Sequence, residues 1–314
     1  MNRDKIHQEF IFVAGTIVSE HSIWFGCIHE AAMADGMMIT QSFNFQHGNW
    51  KEGPYINMKV IDMCCNPNSG NTYLLGEDGE CFDAQTGMAS IIDNDDPPGP
   101  FRKIRLIGNT IMALGRESTV WKKENSDWSI FFEGASETDA ATWLASSEDK
   151  DDGLDQLIDD SVVLFSIAGE SSKNLCLVGT DGKIIVCKNG AWSNEEAPTN
   201  VNLYDVCSTE EGKYLACGQG GLVLSGYQGM WKISLSEVSL GDLVSIAQFG
   251  DYYYLANGQQ LFRTDLKEFA VVDFGVEANV PSRSVVTSDH HILSIAGKEV
   301  FISEDGMHWD SILA

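Results

Sequence analysis

The sequence predicts an all-β fold, a seven-bladed β-propeller, on three observations. A glycine closes a short apolar run about every 40 residues, an aromatic follows it at a near-constant interval, and four strand-like runs fill each period. The glycines are Gly76, Gly115, Gly179, Gly218, Gly258 and Gly297, spaced by 39, 64, 39, 40 and 39 residues. Gly36, after Met33-Ala34-Asp35, is read as a first member of the series. The aromatics are Trp50, Trp128, Trp192, Trp231, Phe269 and Trp309, with Met88 holding the place in the second repeat. Two independent markers in step define the period.

Each repeat divides into four runs bounded by Gly, Asp, Asn and Ser, the composition of strands and hairpin turns. In the fifth these are Leu203–Cys207, Tyr214–Cys217, Leu222–Ser225 and Trp231–Ile233. Helical periodicity is absent outside one segment. The predicted blades are 9–55, 56–99, 100–136, 161–199, 200–240, 241–279 and 280–314, forming a single propeller domain over 1–314. The spacing of 64 is one repeat plus about 25 added residues, an acidic and partly helical insert (137–160) between blades three and four. The last repeat holds all its strands, so residues 9–18 are expected to begin blade one rather than complete blade seven.

Twenty Lys and Arg face 46 Asp and Glu, a net charge of −26. A surface of that sign repels nucleic-acid phosphate and anionic lipid and draws in basic partners. No stretch reaches the roughly 18 apolar residues of a membrane helix, and the first residues lack the apolar core of a secretory signal. The expected partner is therefore a basic protein, with no nucleic acid and no membrane, and the expected location is cytoplasmic.

The last repeat carries Ser303-Glu304-Asp305-Gly306-Met307-His308-Trp309, which resembles the Asp-box of BNR-type propellers. The Gly-x-Asp-Gly turns at 76–79 and 179–182 and the Asn-Gly-Ala-Trp turn at 189–192 resemble photosystem II assembly-factor propellers. In such proteins the box is a structural hairpin: the Asp accepts amide hydrogens of the turn and the Trp packs between blades. The resemblance implies the fold, and an assembly or scaffolding role; it implies no catalytic residue.

Among groups that carry chemistry, the eight cysteines show no Cys-x-x-Cys spacing, so neither a zinc ribbon nor a redox motif is expected. Cys65 and Cys207 stand eleven residues before their glycines, where Ala168, Ala247 and Val286 stand in other repeats. Cys81 matches Ile184, Val223 and Ile302. They read as free thiols packed in the core. His21 and His29 are expected on one strand face, in a structural role, and no metal or other cofactor is expected.

A sialidase-like glycan hydrolase is the alternative function for such a propeller. It would need three convergent arginines to fork onto a substrate carboxylate. The chain has six, and Phe101-Arg102-Lys103-Ile104 lacks the proline of the sialidase-type motif. The insert departs most from the repeat: Asp149, Asp151, Asp152, Asp155, Asp159 and Asp160 cluster beside Trp143, with Asp95 and Asp96 forming a smaller acidic tip. An aromatic among carboxylates, on a loop of a rigid scaffold, suits a basic surface. The sequence thus points to a non-enzymatic binding scaffold, a toxin-neutralising immunity protein or an assembly factor, with these nine residues as its partner-binding set.

Overall fold

The second strands of several blades are deeply buried, because blades stack face to face and cover them on both sides. Asn174–Gly179, Tyr214–Gly218 and Ile292–Ala296 are buried along nearly their whole length, whereas the outermost Met88–Ile91 and Met230–Ser236 are mostly open to solvent. The computed structural model describes residues 3–37, 39–93, 99–115, 118–133, 163–209, 212–227, 229–277 and 279–313. Within them lie seven four-stranded antiparallel sheets, each a meander in chain order, over 10–56, 60–91, 103–132, 164–195, 203–236, 245–271 and 284–311. The chain is a seven-bladed β-propeller.

Seven first strands form the inner ring: Phe10–Ser19, Val60–Cys65, Lys103–Ile107, Leu164–Ser171, Leu203–Ser208, Ser245–Phe249 and Ser284–Thr287. Each touches the first strand of the next blade, and the last touches the first. Gly179 and Gly218 close their second strands where the incoming first strand runs against them, whereas Gly258 and Gly297 have open space for a Cβ and take positive φ, 87° and 59°. A Cβ on Gly218 would stand 2.1 Å from the Asn202 carbonyl oxygen, and one on Gly179 would stand 2.3 Å from that of Val163. Those same carbonyls accept hydrogen bonds from Gln219 N and Thr180 N, both at 2.9 Å. At these two positions glycine is therefore required by close approach of backbone.

The aromatic markers all lie on or beside the outermost strand, and Trp128, Trp192, Trp231 and Trp309 reach back towards the preceding blade. Trp128 Nε1 donates to Ser90 Oγ at 3.3 Å and Trp231 Nε1 to Glu195 Oε2 at 2.5 Å, in each case crossing one blade back. Trp192 meets Phe131 edge-on at 5.8 Å and packs tilted against Phe132 at 4.3 Å, and Trp309 meets Phe274 edge-on at 5.2 Å.

Blade one corrects the sequence reading in two places. Gly36 does not close a strand; it follows a helix of five residues (Glu30–Ala34) in the connection, so Met33 and Ala34 are helical. His21 sits in the hairpin beside His47, and His29 ends the strand Ser22–His29 against Phe10, so the two share no face.

The ring closes as expected, with residues 10–19 opening blade one and blade seven complete in itself. One backbone bridge spans the seam, from Phe12 N to Gly297 O at 2.6 Å. Lys298 Nζ adds a hydrogen bond to Gln8 O at 3.0 Å and an ion pair with Glu30 at 3.1 Å, and the rest is largely packing. An N-terminal helix (Arg3–Glu9) buries Ile6 completely, in a cluster with Phe10, Phe12, Leu293, Ile312 and Leu313.

Candidate binding surfaces

Chain direction sorts the loops into two faces. Inner strands begin, and outermost strands end, on one face; the hairpins joining first to second strands lie on the other. Phe132 and Leu164, which flank the long insert, therefore stand on the same face as Ile91 and Lys103, which flank the shorter acidic connection. The predicted residues Trp143, Asp149, Asp151, Asp152, Asp155, Asp159 and Asp160, with Asp95 and Asp96, all lie outside the described residues.

The inner strands enclose a central cavity of about 560 Å³. Asp62, Arg105 and Asp205 line it partway along their strands, and its lining continues to the hairpins at Ser19–Glu20, Pro67 and Thr287–His290 on the opposite face. A charge network crosses this cavity. Arg105 Nη1 meets Asp62 Oδ2 at 2.5 Å, and the same oxygen accepts Ile104 N–H at 2.9 Å. Asp205, only 3% exposed, accepts from Ser166 Oγ at 2.5 Å and from Ile246 N at 3.0 Å, and Lys103 Nζ lies 3.7 Å away. Burial pushes the Asp205 carboxyl upward, but the Lys103 and Arg105 cations and the two donors outweigh it and hold it below its usual range. Burial likewise opposes the charge on Arg105, and Asp62 and Asp205 raise its pKa nonetheless. The network joins five consecutive blades, two to six.

All eight cysteines are free thiols. Burial is the first cause that raises Cys64, Cys176 and Cys217, and it pushes Cys81 up to about 12, so these are poor nucleophiles. Cys207 packs against the buried cluster of Leu215, Cys217 and Leu255, as the core reading has it, but it and Cys65 are only partly buried. With Ala168, Ala247 and Val286 they line the cavity wall, half-buried, because that register position points into the channel.

The Asp-box segment folds as a tight turn. Asp305 Oδ1 accepts Met307 N–H at 2.7 Å and His308 N–H at 2.8 Å, and Trp309 Nε1 donates to Gly306 O at 3.2 Å. The bond to His308, with the two amides, holds the Asp305 carboxyl well below the usual carboxylate range. Among the described residues no three His, Cys, Asp or Glu side chains converge as metal ligands. The five described arginines stand apart from one another in role. Arg102 stacks on Phe165, Arg105 pairs with Asp62 and Arg263 stacks on Tyr252, while Arg3 lies in the N-terminal helix and Arg283 bonds Ile295 O through its amide. No helix among the described residues is long and apolar enough to cross a membrane.

No protein-family model matches the chain. A protein named immune protein Tsi7, from Pseudomonas aeruginosa PAO1, is 29% identical over 246 residues, 76% of this chain and 74% of that protein. Among solved structures, YCF48 bound to D1 peptide superposes with a TM-score of 0.65 at 13% identity, covering 94% of this chain and 93% of that one. The β-propeller domain of Cps50 (Swd1) from Myceliophteria thermophila also gives 0.65, at 9% identity, covering 95% and 97%. At those identities the two structures speak for the fold alone.

Proposed function

We propose that this chain is a cytoplasmic immunity protein, a non-enzymatic propeller that binds and neutralises a basic toxin protein. The observation that carries the reading is the 29% identity to an immune protein over about three quarters of both chains. The net charge of −26 supports a basic partner, since opposite fields accelerate and select the encounter. In this reading the partner-binding set is Trp143 with Asp149, Asp151, Asp152, Asp155, Asp159 and Asp160, joined by Asp95 and Asp96. The described strand ends that flank both segments stand on one face, which suits a single contact. Trp143 would supply the desolvated anchor and the carboxylates the steering.

The test is to look beside this chain's gene in its native genome for one that encodes a basic protein toxic on expression, and to co-express the two. A growing host and a co-eluting complex are the expected result. A host that dies despite soluble expression of both chains, with no complex on size exclusion, would overturn the proposal.

A further inference from the structure

A second cavity, of about 220 Å³, opens between blades four and five. That is far more than the ~10–15 Å³ a single water requires, and enough for one long side chain. Its walls are aromatic: Tyr214, Tyr227 and Trp231, with Tyr227 43% exposed. Gly226 floors it because a Cβ there would strike the Trp231 ring at 2.3 Å. Two carboxylates share the cavity, Glu170 and Glu195. Glu195 Oε2 is fixed by the Trp231 indole N–H at 2.5 Å, which orients the side chain between the blades. Lys188 also contributes to the lining, but among the described residues neither carboxylate forms an ion pair with it or any other cation.

We propose that this inter-blade cleft is a binding site for an arginine side chain presented by a protein partner. Aromatic faces attract a cation, most strongly where water is excluded. Planar guanidinium stacks on such faces while its fork of donors reaches carboxylates, a combination a lysine ammonium cannot match. The charge complementarity is local as well as global: two carboxylates, without an ion pair among the described residues, border three rings on a chain of net charge −26. The Tyr214 phenol records the same field, since burial first and then nearby acidic groups, Glu170 and Glu195 included, raise its pKa. The cleft goes beyond the reading above, because it uses no residue of the insert and would engage any partner with a projecting arginine.

The experiment follows the Trp231 indole N–H by NMR while acetyl-arginine-amide is added to the full chain, with Trp231→Phe providing the assignment. Acetyl-citrulline-amide, the neutral isostere, and acetyl-lysine-amide are the comparison arms. Saturable shifts with arginine, at least tenfold weaker with citrulline and weaker with lysine, are expected. Glu170→Gln should weaken arginine binding several-fold, and because that side chain is exposed the fold should survive. Tyr227→Ala should do the same through loss of the stacking face. Equal shifts with citrulline, equal shifts with lysine, no saturable shift, or an unchanged response in both variants would each overturn the proposal. Because the probe is a small molecule, the result is independent of whether any toxin is neutralised.

Discussion

Asp205 shows what the inner ring asks of single residues. It is a buried carboxylate that serves blades three to six at once, accepting from Ser166 and Ile246 and facing Lys103 and Arg105. Removing one partner of a buried pair leaves the others uncompensated, so Asp205→Asn should destabilise the fold by about 3–5 kcal/mol in urea unfolding. The sign with pH follows from its lowered pKa. Its contribution is full above the unfolded carboxyl value of about 3.9 and is lost as pH falls through the lower folded value. The gap between native protein and variant should therefore shrink in acid; a constant gap from pH 7 to pH 2 would show that charge is not the cause. Nothing in the sequence marked this residue. Asp62 and Asp205 sit at similar distances before their glycines, but Arg105 and Lys103 come from a blade with its own register, and only the ring brings the four together.

Elements were far more legible than sites, for a physical reason. The glycine at the end of the second strand and the tryptophan on the outermost strand each answer a local steric demand, so the residue type itself carries the information. Gly218 has no alternative against the Asn202 carbonyl, and Trp231 fills the step to blade four. Blade one escaped this logic because a helix (Glu30–Ala34) replaces a turn in its middle, leaving Gly36 in step by count but not by structure. The inter-blade cleft was invisible for a different reason: its walls come from two repeats, and no single repeat signals it. The N-terminal helix is an element the repeat pattern omits altogether, yet it seals the seam. Ile6→Ala should cost about 2–5 kcal/mol, as a buried aliphatic truncation does. Met88→Ala, at a site 70% exposed on an outer strand, should change stability by no more than about 0.5 kcal/mol. Equal effects of the two in thermal or urea unfolding would mean that the helix is not part of the cooperative fold.

For the molecule as a whole, the net charge of −26 is expected to steer encounter with the proposed basic partner. Raising salt from about 0.05 to 0.5 M shortens the Debye length severalfold, so the association rate with a basic partner should fall by tenfold or more while dissociation changes little. Replacing residues 138–159 by a short Gly/Ser linker should leave the unfolding midpoint nearly unchanged, since loop length alters closure entropy slowly, and should slow association. Trp143→Ala should chiefly hasten dissociation. Unchanged kinetics in both variants by surface plasmon resonance would move the contact to other loops. The ring seam carries a last consequence, for synthesis on the ribosome. In a propeller whose final blade borrows its outer strand from the N-terminus, the first residues made must wait, unpaired, for the last. Here Phe10–Ser19 pairs with Ser22–His29 almost at once, and every later blade is likewise contiguous in the chain. Each blade can form as soon as its own residues emerge, with its strands already partnered and few open edges to aggregate. Only the joining of blade seven to blade one waits until blade seven has emerged, and that step needs one backbone bridge, a few polar contacts and a packed cluster rather than the insertion of a strand.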